Sequence, residues 1–121
     1  MDKLSGLAIV VIGLFAGGCG ASVAPGTRGD ITARMTSTQA SMSRCYGASI
    51  DRKGPRTRGL VVFHFKVAPK TGRFERVEVV RDDIGDRVLS QCLVERVSDL
   101  KLQKPQDVTV AVTYPVSFEP R

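Results

Sequence analysis

Tryptophan is absent from this chain, and aromatic and histidine side chains are scarce: two tyrosines, five phenylalanines and one histidine among 121 residues. A core with so few aromatic rings must be built mainly from valine, leucine and isoleucine. The single histidine, His64, is accompanied by no serine or cysteine motif, so the sequence indicates no pair of nucleophile and base. It also contains no phosphate-binding glycine loop and no zinc motif. We therefore expect no enzymatic activity, no catalytic residue, no bound metal and no cofactor.

Acidic residues are in the minority, since 18 lysines and arginines outnumber 12 aspartates and glutamates and leave a net charge of +6. A basic surface attracts anionic lipids, nucleic acids or acidic proteins. Much of the excess lies between residues 52 and 76. This segment predicts a candidate basic patch, although an ordinary solvated surface would have the same composition. The patch comprises Arg52, Lys53, Arg56, Arg58, Lys70 and Arg73.

Long apolar runs are missing except near the N-terminus, where one lysine precedes an apolar run of about fifteen residues that ends in small residues. This layout is typical of a signal peptide. The run is shorter than the roughly 20 residues of a membrane-spanning helix and contains several glycines, so a permanent transmembrane anchor is the less favoured alternative. The tetrapeptide Ala16-Gly17-Gly18-Cys19 resembles the lipobox of bacterial lipoproteins. That resemblance implies acylation of Cys19 and cleavage directly before it.

Three segments follow from this interpretation. Residues 1–18 are a lipoprotein signal peptide, residues 19–29 are the lipidated N-terminus with a short linker, and residues 30–121 are one folded domain. We expect the protein on the periplasmic side of a bacterial membrane, anchored by its lipid. In the enteric members of the lipoprotein family that the lipobox resembles, a residue other than aspartate after the cysteine favours the outer membrane, and that residue is Gly20 here.

Cysteine is rare, and once Cys19 carries the lipid only Cys45 and Cys92 remain. An even pair in an exported domain of this size indicates a disulfide. Such a bond closes a loop of about 47 residues, which in the chain-entropy model stabilises the fold by about 4 kcal/mol. A metal site made of both cysteines and His64 is an alternative, but zinc ligands usually come in close pairs along the chain.

Apolar periodicity predicts an α+β fold in the order α-β-β-α-β, with two helices packed on a three-stranded antiparallel sheet. The predicted elements are a helix over 30–50 with Asp30 as its N-cap, a hairpin of strands 60–67 and 73–81, a helix over 84–100 capped by Asp83, and a strand over 107–118. The residues expected in the core are Ile31, Met35, Met42, Cys45 and Tyr46; Val61, Phe63, Phe65 and Val67; Val77 and Val79; Ile84, Val88, Leu89, Cys92, Val97 and Leu100; Val108, Val110, Val112 and Tyr114.

Four stretches of the chain resemble a known family. They are Arg44-Cys45-Tyr46, the strand-turn-strand of residues 59–74, Gln91-Cys92-Leu93-Val94, and the terminal strand of residues 110–118. Together they are similar to the TonB-like C-terminal domain of the AgmX/PglI C-terminal family of myxobacterial envelope proteins. The resemblance implies a periplasmic, disulfide-bonded α+β domain that binds partners by adding a strand to its sheet. The linker of about ten residues argues against an energy transducer that reaches across the periplasm.

We therefore expect a protein-interaction module of the cell envelope. Its partners would be envelope proteins that add a strand at an exposed sheet edge, and the lipid would hold it on the membrane. The alternative function is a basic surface that binds anionic lipid or polysaccharide; nucleic acid is disfavoured by the predicted export. The candidate interaction edge is the last strand, with Val108, Val110, Val112, Tyr114 and Val116.

Overall fold

The computed structural model describes residues 7–11 and 26–120. Most of the predicted signal peptide, Cys19 and the following residues up to Pro25 therefore lie outside the described residues. The elements in chain order are β1 (Leu7–Val11), α1 (Thr27–Ser37), α2 (Gln39–Lys53), β2 (Gly59–Val67), β3 (Phe74–Asp82), α3 (Arg87–Ser98) and β4 (Val110–Pro120).

The strands form one antiparallel sheet in the order β1-β4-β2-β3. β2 and β3 are the two arms of a hairpin, and β4 pairs with the other side of β2 without a register shift, from Val67 opposite Val110 to Gly59 opposite Phe118. β1 is antiparallel to β4 along the outer side of that strand. The predicted α+β class with an antiparallel sheet of β2, β3 and β4 is confirmed.

The predicted order of elements is wrong because the helix expected over 30–50 is two helices, so the domain from α1 onward has the order α-α-β-β-α-β. The helices meet at Thr38, whose φ and ψ are −98° and 4° and whose amide donates to the Met35 carbonyl at 3.2 Å. The Met42 amide donates to the Thr38 carbonyl at 2.9 Å and so resumes the α-helical pattern at once. The interruption is one residue long, and the apolar stripe runs through it.

Asp30 is not the N-cap that the sequence suggests, because α1 begins three residues earlier, at Thr27. The Asp30 carboxylate instead accepts hydrogen bonds from the backbone amides of Gln103 and Lys104 at 3.3 and 2.9 Å. It therefore ties the first turn of α1 to the loop that precedes β4.

The start of α3 also corrects the sequence prediction. Asp86, and not Asp83, is the N-cap, and its side chain accepts a hydrogen bond from the Val88 amide at 3.1 Å. The Asp82 carboxylate accepts the amides of Ile84 and Gly85, each at 2.9 Å, and Gly85 has a φ of 74° that suits glycine. This turn uses the residues that would otherwise form the first turn of the helix.

The three helices cover one face of the sheet, and their apolar side chains share a core with β2 and β4. Two predictions about this core are wrong: Val88 and Val108 are 55% and 56% exposed. α3 buries Leu89, Leu93 and Val97, of which Leu93 was not predicted, and β4 begins only at Val110, after the loop in which Val108 lies. The residues whose predicted burial is confirmed are Ile31, Met35, Met42, Cys45, Tyr46, Val61, Phe63, Phe65, Val67, Ile84, Leu89, Val97, Val110, Val112 and Tyr114. Val77, Val79, Cys92 and Leu100 are partly buried and pack against this core.

Candidate functional site

The outer edge of β4 carries backbone groups and almost no accessible apolar side chain. Among the predicted edge residues of this strand, Val110, Val112, Tyr114 and Val116 are all at least 96% buried in the core. Their side chains therefore stabilise the fold and are not available to a partner. Recognition along this edge would rely mainly on main-chain N–H and C=O groups, beside the accessible polar side chains of Thr113, Ser117 and Glu119.

Part of that edge is paired with β1 in the full chain. Leu7 lies opposite Pro120 and Val11 lies opposite Val116, so the pairing covers the C-terminal five residues of β4. Val110 to Pro115 pair only with β2 among the described residues. Within residues 7–11 and 26–120, the predicted edge is thus unpaired over its first half and occupied over its second half by β1.

Pro115 reveals which amides of β4 point outward. It lies opposite Val62 of β2 and has no N–H, so these two residues cannot be a hydrogen-bonded pair of the antiparallel ladder. Hydrogen-bonded and non-hydrogen-bonded pairs alternate, so Val116 and Phe118 direct their N–H and C=O groups to β2. Ser117 and Glu119 therefore direct theirs to the outer edge, where β1 lies.

The other edge of the sheet, β3, is built in a way that discourages pairing. Its register against β2 shifts at two places, between Val62 and Phe63 and between His64 and Lys66. Arg76 has a φ of 53°, and the exposed side chains of this strand include Glu75, Arg76, Glu78 and Arg81. Bulges and charges of this kind are common protection for edge strands. β4 lacks a register shift and is therefore the better acceptor.

The predicted basic patch is divided into two groups by the length of β2. The first group follows the C-terminal end of α2, where Lys53, Arg56 and Arg58 line a cleft of about 290 Å³ with Thr57 and Ile84. Lys70 and Arg73 lie in the hairpin turn at the other end of β2. Nine strand residues separate the groups by roughly 30 Å, at about 3.3 Å per residue. The six cations do not form one patch.

Arg52 is paired with Asp86, so its charge is partly neutralised within the fold. Its guanidinium lies 2.5 Å from Asp86 Oδ2, and the same oxygen accepts the Ser49 hydroxyl at 2.6 Å. Burial disfavours the charged Asp86 carboxylate, but the hydrogen bonds from Ser49, Arg52 and the Leu89 backbone, together with the Arg52 charge, outweigh it and lower the pKa to about 2. This network joins α2 to the first turn of α3.

The low pKa of Asp86 predicts a loss of stability in acid. The carboxylate has a pKa near 3.8 when unfolded and about 2 when folded, so the folded form binds the proton less well. Its contribution, about 2 kcal/mol, is complete above pH 4 and lost as the pH falls through 2, since one pKa unit corresponds to about 1.4 kcal/mol. Urea denaturation at pH 5, 3 and 2 measures this; Asp86→Asn should show a smaller drop over the same interval, and an equal drop would contradict the assignment.

Tyr46 fastens the loop that carries the first basic group. Its hydroxyl donates to the Thr57 carbonyl, and its ring packs on Phe118 of β4 with centroids 5.1 Å apart. Burial raises the pKa of Tyr46; the charge of Arg58 opposes this rise and that of Glu119 adds to it. The loop between α2 and β2 and the C-terminal half of β4 are therefore held together by one side chain.

We expect Tyr46→Phe to lower the free energy of unfolding by about 1 kcal/mol, because the ring contacts remain and one hydrogen bond is lost. Chemical denaturation of both proteins checks the value. Amide exchange should become faster between Gly54 and Arg58 and stay unchanged in α3. Unaltered exchange in the loop would show that the hydroxyl does not hold it.

Cys45 of α2 and Cys92 of α3 lie at disulfide-bonding distance, with Cα atoms 5.9 Å apart. His64, the third ligand of the alternative metal site, is on the opposite face of β2, where its Nδ1 lies 3.7 Å from Glu78 Oε2. The described residues contain no group of three or more histidine, cysteine, aspartate or glutamate side chains that could hold a metal ion. The geometry thus favours the disulfide over the metal site.

Within residues 7–11 and 26–120, no helix has the length and apolar character needed to cross a membrane. The chain matches no protein-family model, no curated protein and no solved structure.

Proposed function

We propose that this protein is an exported bacterial lipoprotein, anchored through Cys19 on the periplasmic side of a membrane, and that its domain binds a segment of another envelope protein along the outer edge of β4. The partner segment would add as an antiparallel strand, held mainly by main-chain hydrogen bonds. The TonB-like resemblance stated above has the same implication. Neither catalysis nor a cofactor is part of this function.

The observation that carries the proposal is the pairing of β1 with β4. Leu7–Val11 belongs to the segment that we expect a signal peptidase to remove, and its backbone adds to β4 with a continuous register over five residues. Removal of that segment would leave the outward amides of Ser117 and Glu119 without a strand partner. A strand edge in this state is a template for another extended segment.

Amide hydrogen exchange tests whether processing opens the edge. We compare the processed protein with the unprocessed Cys19→Ala chain, in which lipid attachment and cleavage are both blocked. The amides of Ser117 and Glu119 should exchange at least about tenfold faster in the processed protein, because open edges exchange with little protection. The amides of Val116 and Phe118, which point to β2, are the internal control and should not change.

A peptide with the sequence of residues 6–13 tests whether the open edge accepts a strand. Added to the processed protein, it should restore the protection of Ser117 and Glu119. The same peptide with proline in place of Val10 is the matched control, because Val10 lies opposite Ser117 and proline cannot donate to the ladder there. Equal exchange in the processed and unprocessed proteins, or equal effects of both peptides, would contradict the proposal.

Site-specific photo-crosslinking identifies the partner in native membranes. A photo-reactive residue at position 117 should capture a defined envelope protein. A photo-reactive residue at Val80, which is 55% exposed on the protected β3 edge, should not. Capture of the same protein from both positions would show that the contact is not specific to β4.

A further inference from the structure

Three segments distant in sequence meet at one end of the domain. The first turn of α1 contacts the loop before β4 through the Asp30 hydrogen bonds described above. The same loop joins the hairpin turn between β2 and β3: the Leu102 amide donates to the Gly72 carbonyl at 2.8 Å, and the Lys70 amide donates to the Gln106 carbonyl at 2.6 Å. This end therefore holds the chain where it emerges from the predicted lipidated linker.

Four exposed cations from these segments gather at that end, and we call them the anchor-end cluster: Lys70, Arg73, Lys101 and Lys104. Arg73 and Lys101 are directly paired in an isolated β-bridge. None of the four forms an ion pair with a carboxylate among the described residues. Only Lys70 and Arg73 of the cluster belong to the basic patch predicted from the sequence; the fold supplies the other two.

The carboxylates near this end do not neutralise the cluster. Asp30 is occupied by two backbone amides and lies 3.8 Å from the Arg34 guanidinium. Glu75, Asp99 and Asp107 are exposed and carry three negative charges against the four cations of the cluster and the exposed Lys66 opposite Glu75. The end as a whole is therefore positive.

The proposed lipid attachment brings this end to the membrane. Cys19 precedes Gly26, the residue before α1, by seven positions, and seven residues reach at most about 25 Å when fully extended. The opposite end of the domain, with Gly59 and Phe118, lies a further nine-residue strand away. The cluster is thus the charged surface nearest to the bilayer.

We infer that the anchor-end cluster binds anionic lipid head groups and orients the domain on its membrane. This inference rests on the proposed lipid anchor, to which it adds a second, electrostatic attachment. Each lysine or arginine near an anionic membrane strengthens binding about fivefold, equivalent to about 1 kcal/mol. In the resulting orientation the C-terminal half of β4 and the loop of residues 54–58 would face away from the lipid, where a partner can reach them.

Lysine footprinting of the processed, acylated protein tests the inference. The protein is placed in vesicles of phosphatidylcholine alone or mixed with phosphatidylglycerol, and a water-soluble acylating reagent marks accessible lysines for mass spectrometry. On the anionic vesicles, modification of Lys70, Lys101 and Lys104 should slow at least about fivefold relative to phosphatidylcholine. Modification of Lys53, at the opposite end, should not change. About 1 M salt, with a screening length of about 3 Å, should abolish the difference.

Two double charge-reversal variants distinguish lipid binding by the anchor-end cluster from a general effect of the protein's net charge. Lys101→Glu with Lys104→Glu should remove the protection of Lys70 on anionic vesicles. Arg56→Glu with Arg58→Glu makes the same change in net charge at the other end and should leave that protection intact. Equal protection on both kinds of vesicle, protection of Lys53, or equal effects of the two double variants would overturn the inference. A protein that carries no acyl chain would instead refute the lipid anchor itself.

Discussion

Removal of the Cys45–Cys92 disulfide is expected to lower the free energy of unfolding by about 4 kcal/mol. The bond links α2 to α3 across 47 positions of sequence, so it restricts the unfolded chain over about half of the domain. A loss of this size is a large share of the 5–15 kcal/mol that stabilises a typical domain. Denaturation of the Cys45→Ala, Cys92→Ala double variant by guanidinium chloride measures it.

Treatment with a reductant separates the loss of the cross-link from any loss of packing that the two alanine substitutions cause. Dithiothreitol should destabilise the wild-type protein by nearly as much as the double substitution does, because both treatments remove the same cross-link. The double variant itself should not respond to the reductant. A wild-type protein with equal stability in the oxidised and reduced states would show that the cross-link does not support the fold.

The substitution Asp86→Ala is expected to cost about 3 kcal/mol. It removes the N-cap of α3, worth about 1 kcal/mol, and leaves the buried Ser49 hydroxyl and the Arg52 guanidinium without their shared acceptor. Asp86→Asn should lower the free energy of unfolding by less, because asparagine also caps helices and loses only the negative charge that pairs with Arg52. Thermal and chemical unfolding of both variants, with circular dichroism as the readout, give the two values.

Asp83→Ala is the matched control for Asp86. Asp83 is exposed, and its carboxylate pairs with the Arg81 side chain at 3.0 Å on the surface. Exposed pairs of this kind contribute at most about 1 kcal/mol, so the Asp83 variant should stay close to the wild type. A larger loss for Asp83→Ala than for Asp86→Ala would contradict the structure and support the cap inferred from the sequence.

These two aspartates show why helix starts are hard to predict. Either residue could cap a helix, and the apolar pattern extends back to Ile84. The deciding feature is tertiary: the Asp82 carboxylate forms a turn with the next residues, and Ile84 packs into the core from that turn. Gly85 was the available signal, because glycine in a first helical turn is unfavourable.

The core was easier to predict than the order of elements. Alternation in β2 and the stripe from Ile31 to Tyr46 depend on one side of each element being buried, and that pattern survives a one-residue interruption at Thr38. Val108 lies in the loop before β4 and not in the strand. This loop is tied to α1 through Asp30, and such a long-range contact leaves no trace in the apolar periodicity.

The basic clusters and the β4 edge also depend on contacts between segments that are distant in sequence. The patch of residues 52–73 is continuous in sequence but lies at both ends of β2. Lys101 and Lys104 join Lys70 and Arg73 only because the loop before β4 folds onto the hairpin turn. The pairing of β1 with β4 could not be predicted either, since the same apolar run is read as a signal peptide.

The intact mass of the protein purified from native membranes shows whether the chain is a lipid-anchored, disulfide-bonded domain. We expect a chain that begins at Cys19, carries acyl groups there, and is two hydrogens lighter than the reduced form because Cys45 and Cys92 are joined. A polypeptide that retains residues 1–18, bears no lipid and has three free thiols would contradict it.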